Sequence, residues 1–128
     1  MLKPDRIEDI DIREYVGLPP LDHGIDKLVR VFIGMGYHTI GSCEGHLDNQ
    51  HWPYPWVTVS GLVTPTNKVY QEIKKMIDQY NPERETEWEI GRGGVRPSRE
   101  ASNLDELRRL QESGEELARF LFDNFLKH

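Results

Sequence analysis

The sequence predicts an α+β fold: about four mostly antiparallel strands packed against three helices, in the order α-β-β-α-β-β-α. Three segments repeat apolar residues at helical spacing, and each has only one apolar face, so each needs a partner layer. Short stretches between them alternate apolar and polar residues with a period of two, as half-buried strands do. A glycine-rich turn joins the last two of these stretches. No linker, repeat or low-complexity tract divides the 128 residues, a length that suits one domain with its own core.

The elements follow in chain order. Residues 1–20 are densely charged and end in Gly17-Leu18-Pro19-Pro20, which reads as an extended N-terminal arm anchored by Ile7, Ile10, Ile12 and Tyr15. Asp22 suits the N-cap of a first helix whose stripe is Ile25, Leu28, Val29, Phe32 and Ile33, closed by Gly34 and Gly36. Residues 37–40 form a short strand. Residues 56–63 form a second, with Val57 and Val59 facing one way and Thr58 and Ser60 the other. Thr64 and Pro65 open a second helix, lined by Val69, Ile73, Met76, Ile77 and Tyr80 and stopped by Asn81-Pro82. Residues 86–90 and 95–99 make a hairpin around Gly91, Gly93 and Gly94, with Glu87 and Glu89 opposite Trp88 and set to pair with Arg96 or Arg99. The last helix starts at Ser102 or Asn103, where Glu106 completes a capping-box pattern. Leu104, Leu107, Leu110, Leu117, Leu121 and Phe125 form its stripe, and Gly114 is a point of bending or interruption.

Composition narrows the function classes. A formal charge of −6 disfavours nucleic acid as a partner, since general binding to phosphates needs excess Lys and Arg. A single cysteine excludes an intrachain disulfide and suits a reducing cytoplasm. The first 14 residues mix charges of both signs and lack the apolar stretch of a signal peptide. No apolar run approaches the roughly 20 residues that span a bilayer, so a membrane is not an expected partner.

Chemistry concentrates in residues 41–56. Gly41-Ser42-Cys43-Glu44-Gly45-His46 follows a strand end, where the sheet holds the base of a loop rigid. Asp48 and His51 follow, and then Trp52-Pro53-Tyr54-Pro55-Trp56 sets three rings between two prolines. Three readings compete. Cys43 and His46, with His51 or Asp48, present thiolate and imidazole donors that suit zinc in an open, hydrolytic-type site. Alternatively Cys43 is a nucleophile, His46 or His51 its base, and Glu44 the group that orients the imidazole or acts as acid–base. In the third, Ser42 and its neighbours bind a small ligand between Trp52 and Trp56. The plain reading is an inert buried cysteine, solvated histidines and aromatic core.

Two further features bear on the ligand. Arg92, Arg96 and Arg99, with Arg84, make the hairpin locally basic. They either neutralise Glu87, Glu89 and Glu100 or, if the hairpin folds toward the loop, favour an anionic ligand through Arg92 and Arg96. His38, beside the loop base, is a reserve metal ligand, and His23 stands alone.

Ser42-Cys43-Glu44-Gly45-His46, following Gly36-Tyr37-His38-Thr39 and preceding Pro55-Trp56-Val57, resembles a stretch in a small uncharacterised family of bacterial and phage proteins. That resemblance implies no particular activity. A weaker one is to the wybutosine-synthesis tRNA methyltransferase family, which carries Ser-Ser-Cys-Ser-Gly-Arg. Ser42, Cys43 and Gly45 match that stretch; Gly41, Glu44 and His46 depart from it. The leading expectation is a cytoplasmic protein that binds a small ligand at residues 41–56, with metal-assisted hydrolysis as its chemistry if it has one. The alternative is a non-enzymatic protein that forms a homodimer through its terminal helix.

Overall fold

The computed structural model describes residues 5–11 and 24–126. The expected order of elements is present: α1 (Asp26–Gly34), β1 (Thr39–Cys43), β2 (Trp56–Val59), α2 (Lys68–Tyr80), β3 (Trp88–Gly91), β4 (Gly94–Pro97) and α3 (Leu104–Leu121). A short 3-10 turn, Ile7–Asp9, precedes them and a wider π turn, Phe122–Leu126, closes the chain. The strands form one antiparallel sheet in the order β1-β2-β4-β3.

Alternation along the strands assigns the two faces of the sheet. Val57, Val59, Trp88 and Val95 are buried against the apolar stripes of all three helices: Leu28, Val29 and Phe32 of α1, Ile73 and Ile77 of α2, and Leu117 and Leu121 of α3. A smaller cluster joins Tyr54, Ala101, Leu107 and Leu110, with Trp56 packed against it. The terminal helix therefore spends its apolar stripe inside the molecule, and of the leucines expected there only Leu104 stands exposed. Among the described residues no helix is long and apolar enough to cross a membrane.

Several boundaries differ from the sequence expectation. Strand β1 runs through Gly41, Ser42 and Cys43, because Cys43 pairs with Trp56, Ser42 with Val57 and Gly41 with Thr58. The connecting loop is thus shorter than 41–56 and starts at Glu44. Strand β2 stops at Val59, where Leu62 N–H turns back onto the Val59 carbonyl at 3.3 Å. Helix α2 opens at Lys68, not at Pro65, since Asn67 is the N-cap and its side chain accepts the Val69 N–H at 2.8 Å. The hairpin strands reach one residue closer to the turn than expected, since Gly91 and Gly94 pair with each other and leave only Arg92 and Gly93 in it, and they end two residues earlier at the open end, at Trp88 and Pro97. Asn103 caps α3 as expected, accepting the Glu106 N–H at 2.8 Å; Glu106 answers through the Asn103 side-chain amide at 2.9 Å, not the backbone.

Gly114 does not interrupt α3, which runs through it from Leu104 to Leu121. A Cβ there would sit 3.5 Å from the Trp88 ring, an ordinary contact distance, so the indole packs directly against the helix at this position. Ile7 and Ile10 are buried anchors, as expected of the arm, although the chain between them turns and is not extended. Asp22, His23, Ile12, Tyr15 and the Gly17–Pro20 stretch (17–20) lie outside the described residues. Helix α1 starts after Ile25, which offers no side-chain cap.

The loop entrance depends on Gly45. Its φ is +92°, and a Cβ would lie 2.7 Å from the Tyr54 carbonyl carbon and 2.9 Å from a Leu107 methyl. Left-handed backbone alone costs a non-glycine residue about 1–2 kcal/mol, and forced overpacking adds about 1–3 kcal/mol. Gly45→Ala is accordingly expected to destabilise the fold by at least about 2 kcal/mol, read as a lower urea midpoint with an unchanged slope.

Candidate functional site

Residues on the face of the sheet turned from the core line up across strands. Antiparallel register sets Cys43 opposite Trp56, and Glu89 opposite Arg96. The next row is Gly41, Thr58, Gly94 and Gly91, which carries no side chain longer than threonine. Over this bare floor lies a cavity of about 100 Å³ lined by Trp52, Tyr54, Trp56, Thr58, Gly91, Arg92, Gly94 and Arg96. The loop and the hairpin therefore meet in space, which spacing along the chain left open.

Their meeting is a set of cation–ring contacts. Arg92 Cζ lies 4.1 Å from the Trp52 ring centroid, and Arg96 Cζ lies 3.9 Å from that of Tyr54. Trp52 and Tyr54 are themselves nearly parallel, at 21° with centroids 6.1 Å apart. Arg96 is fixed: Nη1 donates to the Tyr54 hydroxyl at 2.9 Å and Nε to the Pro97 carbonyl at 3.2 Å. Arg92 makes no hydrogen bond or ion pair among the described residues, so stacking alone holds it. Each such contact is worth about 0.5–1 kcal/mol at an exposed site.

The arginines do not neutralise the hairpin's glutamates. Among the described residues no ion pair joins Arg92, Arg96 or Arg99 to Glu87, Glu89 or Glu100. Arg99 donates to Thr86 Oγ1 at 3.0 Å, and Arg84 pairs with Glu116 at 2.6 Å. Glu89 remains the acidic neighbour of the cavity, its Oε2 3.6 Å from where a Gly91 Cβ would lie.

The expected reactive set is distributed differently. Cys43 is a buried strand residue whose Sγ accepts the Gly45 N–H at 3.4 Å. Glu44 works as a tie: Oε1 accepts the Gly24 N–H at 3.1 Å, and its carbonyl accepts the Gln111 side-chain amide at 3.0 Å. That joins the end of β1 to the approach to α1 and to the middle of α3. His46 lies edge-on to His51, with ring centroids 4.7 Å apart. His51 Nδ1 sits 2.9 Å from both carboxylate oxygens of Asp48. Among the described residues no three His, Cys, Asp or Glu side chains are placed to hold a metal ion. The zinc set expected at Cys43, His46 and His51 is therefore not assembled: the cysteine points from a paired strand, while His51 is committed to Asp48. His38 is exposed and contributes its carbonyl to Ser60 N–H at 2.9 Å.

Of the five residues expected to bind ligand, Trp52, Trp56, Arg92 and Arg96 line one cavity. Ser42 does not, because its register partner is Val57, on the core face. Sequence reasoning missed Tyr54, Thr58, Gly91 and Gly94 as lining residues. The period-two pattern carried the signal for Thr58, which alternates with Val57 and Val59 and so shares a face with Trp56.

Asp48 organises the loop that presents Trp52. Its Oδ1 accepts the N–H groups of Gln50 at 2.8 Å and His51 at 2.9 Å, and His46 N–H closes the loop on the Trp52 carbonyl at 3.2 Å. The His51 ring, then the Gln50 N–H, hold the Asp48 carboxyl below the usual carboxylate range. A depressed folded-state value means that this contribution to stability is present above the unfolded value and fades as pH falls through the folded one. A carboxyl-detected NMR titration should place the Asp48 midpoint below about 3.9, and His51→Gln should raise it; an unmoved midpoint in that variant would remove the His51 assignment.

No family model matches the chain, and neither the curated proteins nor the solved structures contain a match to it.

Proposed function

We propose that the protein binds a small anionic ligand in the groove between the Trp52-to-Trp56 loop and the β3–β4 hairpin. The observation that carries this reading is the convergence of Arg92 and Arg96, neither of them in an ion pair among the described residues, on a cavity walled by Trp52, Tyr54 and Trp56. A guanidinium stacked on a ring keeps its edge donors available, and those donors match the oxygens of a carboxylate or phosphate. Aromatic walls lower the local polarity and exclude water, which strengthens the pairing.

Size limits what enters. Pockets that enclose whole ligands measure roughly 300–1,000 Å³, whereas this one measures about 100 Å³. It has room for one group of a ligand, with the remainder at the rim. Catalysis forms no part of this reading, because Glu44 is engaged in tying β1 to its neighbours and Cys43 is buried in the sheet.

Phenyl phosphate is a suitable probe, followed by amide chemical shifts of the full chain. Addition should shift the resonances of Thr58, Gly91, Arg92 and Gly94, and Arg96→Ala should weaken binding about tenfold or more, the loss of roughly one charge-assisted hydrogen bond. Glu89→Gln should tighten it about two- to fivefold at low salt, because a like charge beside the ligand is removed. Shifts centred elsewhere, or none at millimolar probe, would overturn the proposal.

A further inference from the structure

The hairpin turn holds a residue that its backbone disfavours. Arg92 has φ 54° and Gly93 φ 75°. A two-residue turn with both φ values positive is the kind that Asn-Gly or Gly-Gly satisfies best, and a long side chain at its first position is strained. The same arginine lies over the ring of Trp52, which at 44% exposure is the one Phe, Tyr or Trp ring in the exposed class among the described residues. Its guanidinium has no hydrogen-bonding partner there to account for its placement. Backbone strain and an uncovered indole thus fall on one contacting pair, at the rim of the cavity. Strain kept at a rim of this kind points to a ligand contact.

Arg92 and Arg96 also differ in freedom. Tyr54 and Pro97 fix Arg96, while Arg92 is free to leave its ring. Building on the reading of this groove as an anion site, we propose that Trp52 and Arg92 form a slot for an aryl oxyanion, an aromatic ring that bears a phosphate or carboxylate. The flat ring stacks on Trp52 where the guanidinium now lies. The displaced Arg92 then pairs with the anionic group, which Arg96 holds over the Gly91 and Gly94 floor. The small cavity takes the anion, and the exposed indole takes the ring.

Two phosphate monoesters of equal charge test this, phenyl phosphate and cyclohexyl phosphate, since only the first has a flat ring. Titrated into the full chain, the phenyl ester should bind about three- to tenfold tighter, the range expected for one aromatic stack, and Trp52→Leu should erase that ratio. Ligand-free Arg92→Asn should melt roughly 1–4 °C higher than the parent, because relief of the turn outweighs one exposed cation–ring contact, and should bind phenyl phosphate about tenfold more weakly. Equal binding of the two esters would overturn the slot while leaving the anion groove standing. A lower melting temperature for Arg92→Asn would overturn the strained-turn argument with or without ligand. Failure of both esters to bind would remove the groove reading and the slot with it.

Discussion

The seating of Trp88 is the constraint from which the rest of the sheet takes its geometry. Its indole is buried, lies against Gly114, and donates from Nε1 to Ser113 Oγ at 2.8 Å. A buried indole N–H without a partner would be costly, so the ring has one orientation against α3. That fixes β3, and β3 fixes the register of β4: Trp88 opposite Pro97, Glu89 opposite Arg96, Gly91 opposite Gly94. A one-residue slip would turn Arg96 into the core and Val95 out of it. The position of both arginines at the groove therefore traces to an indole on the other face of the sheet.

The groove shows how an acidic chain builds a local cationic surface. Arg96 and Arg92 are held against rings and, among the described residues, by no direct ion pair, although the Glu89 carboxylate stands beside Arg96. Burial of Tyr54, with Ala101, Leu107 and Leu110 around it, makes one of those rings a rigid platform. Ala101 N–H reaches the Pro53 carbonyl at 2.9 Å, which ties the platform to the approach to α3. The overall charge of −6 disfavours polyanions at long range, while a single small anion meets only the immediate field, and screening beyond about 8–10 Å separates the two cases.

Much of this was legible in the chain, and the misses have physical causes. Periodicity located α1, α2, α3, β2 and the hairpin strands, because each buries one face, whereas β1 gives no such signal, with Thr39 buried and Ile40 exposed. Boundaries failed where a polar side chain competes with the backbone: Asn67 captured the N-terminus of α2 that Thr64 and Pro65 also fit. For Gly114, propensity argued for a bend or interruption, whereas α3 runs on through it with the Trp88 ring packed against that position. At the candidate site Trp52, Trp56, Arg92 and Arg96, singled out by residue type, line one cavity, whereas Tyr54 was missed as a lining residue and Ser42 lies on the other face. Of the other candidates, His46 and His51 stand together, while Cys43 and Glu44 face other partners, because closeness along the chain says nothing of direction. Strand pairing carries Cys43 into the sheet, and hydrogen bonds turn Glu44 toward Gly24 and His51 toward Asp48.

One last feature concerns the outer strand. The Asn81 side chain accepts the Trp88 N–H at 2.8 Å and donates to the Trp88 carbonyl at 2.9 Å. Those are the two bonds a neighbouring strand would make, so a single amide imitates a fifth strand at that position. By alternation, Ile90 is the residue of β3 left with its backbone pair facing outward. A four-residue edge with half of its outward bonds already satisfied is a poor template for another chain. Asn81 thereby acts as a guard against edge-to-edge association, and so against aggregation, along the outer side of β3.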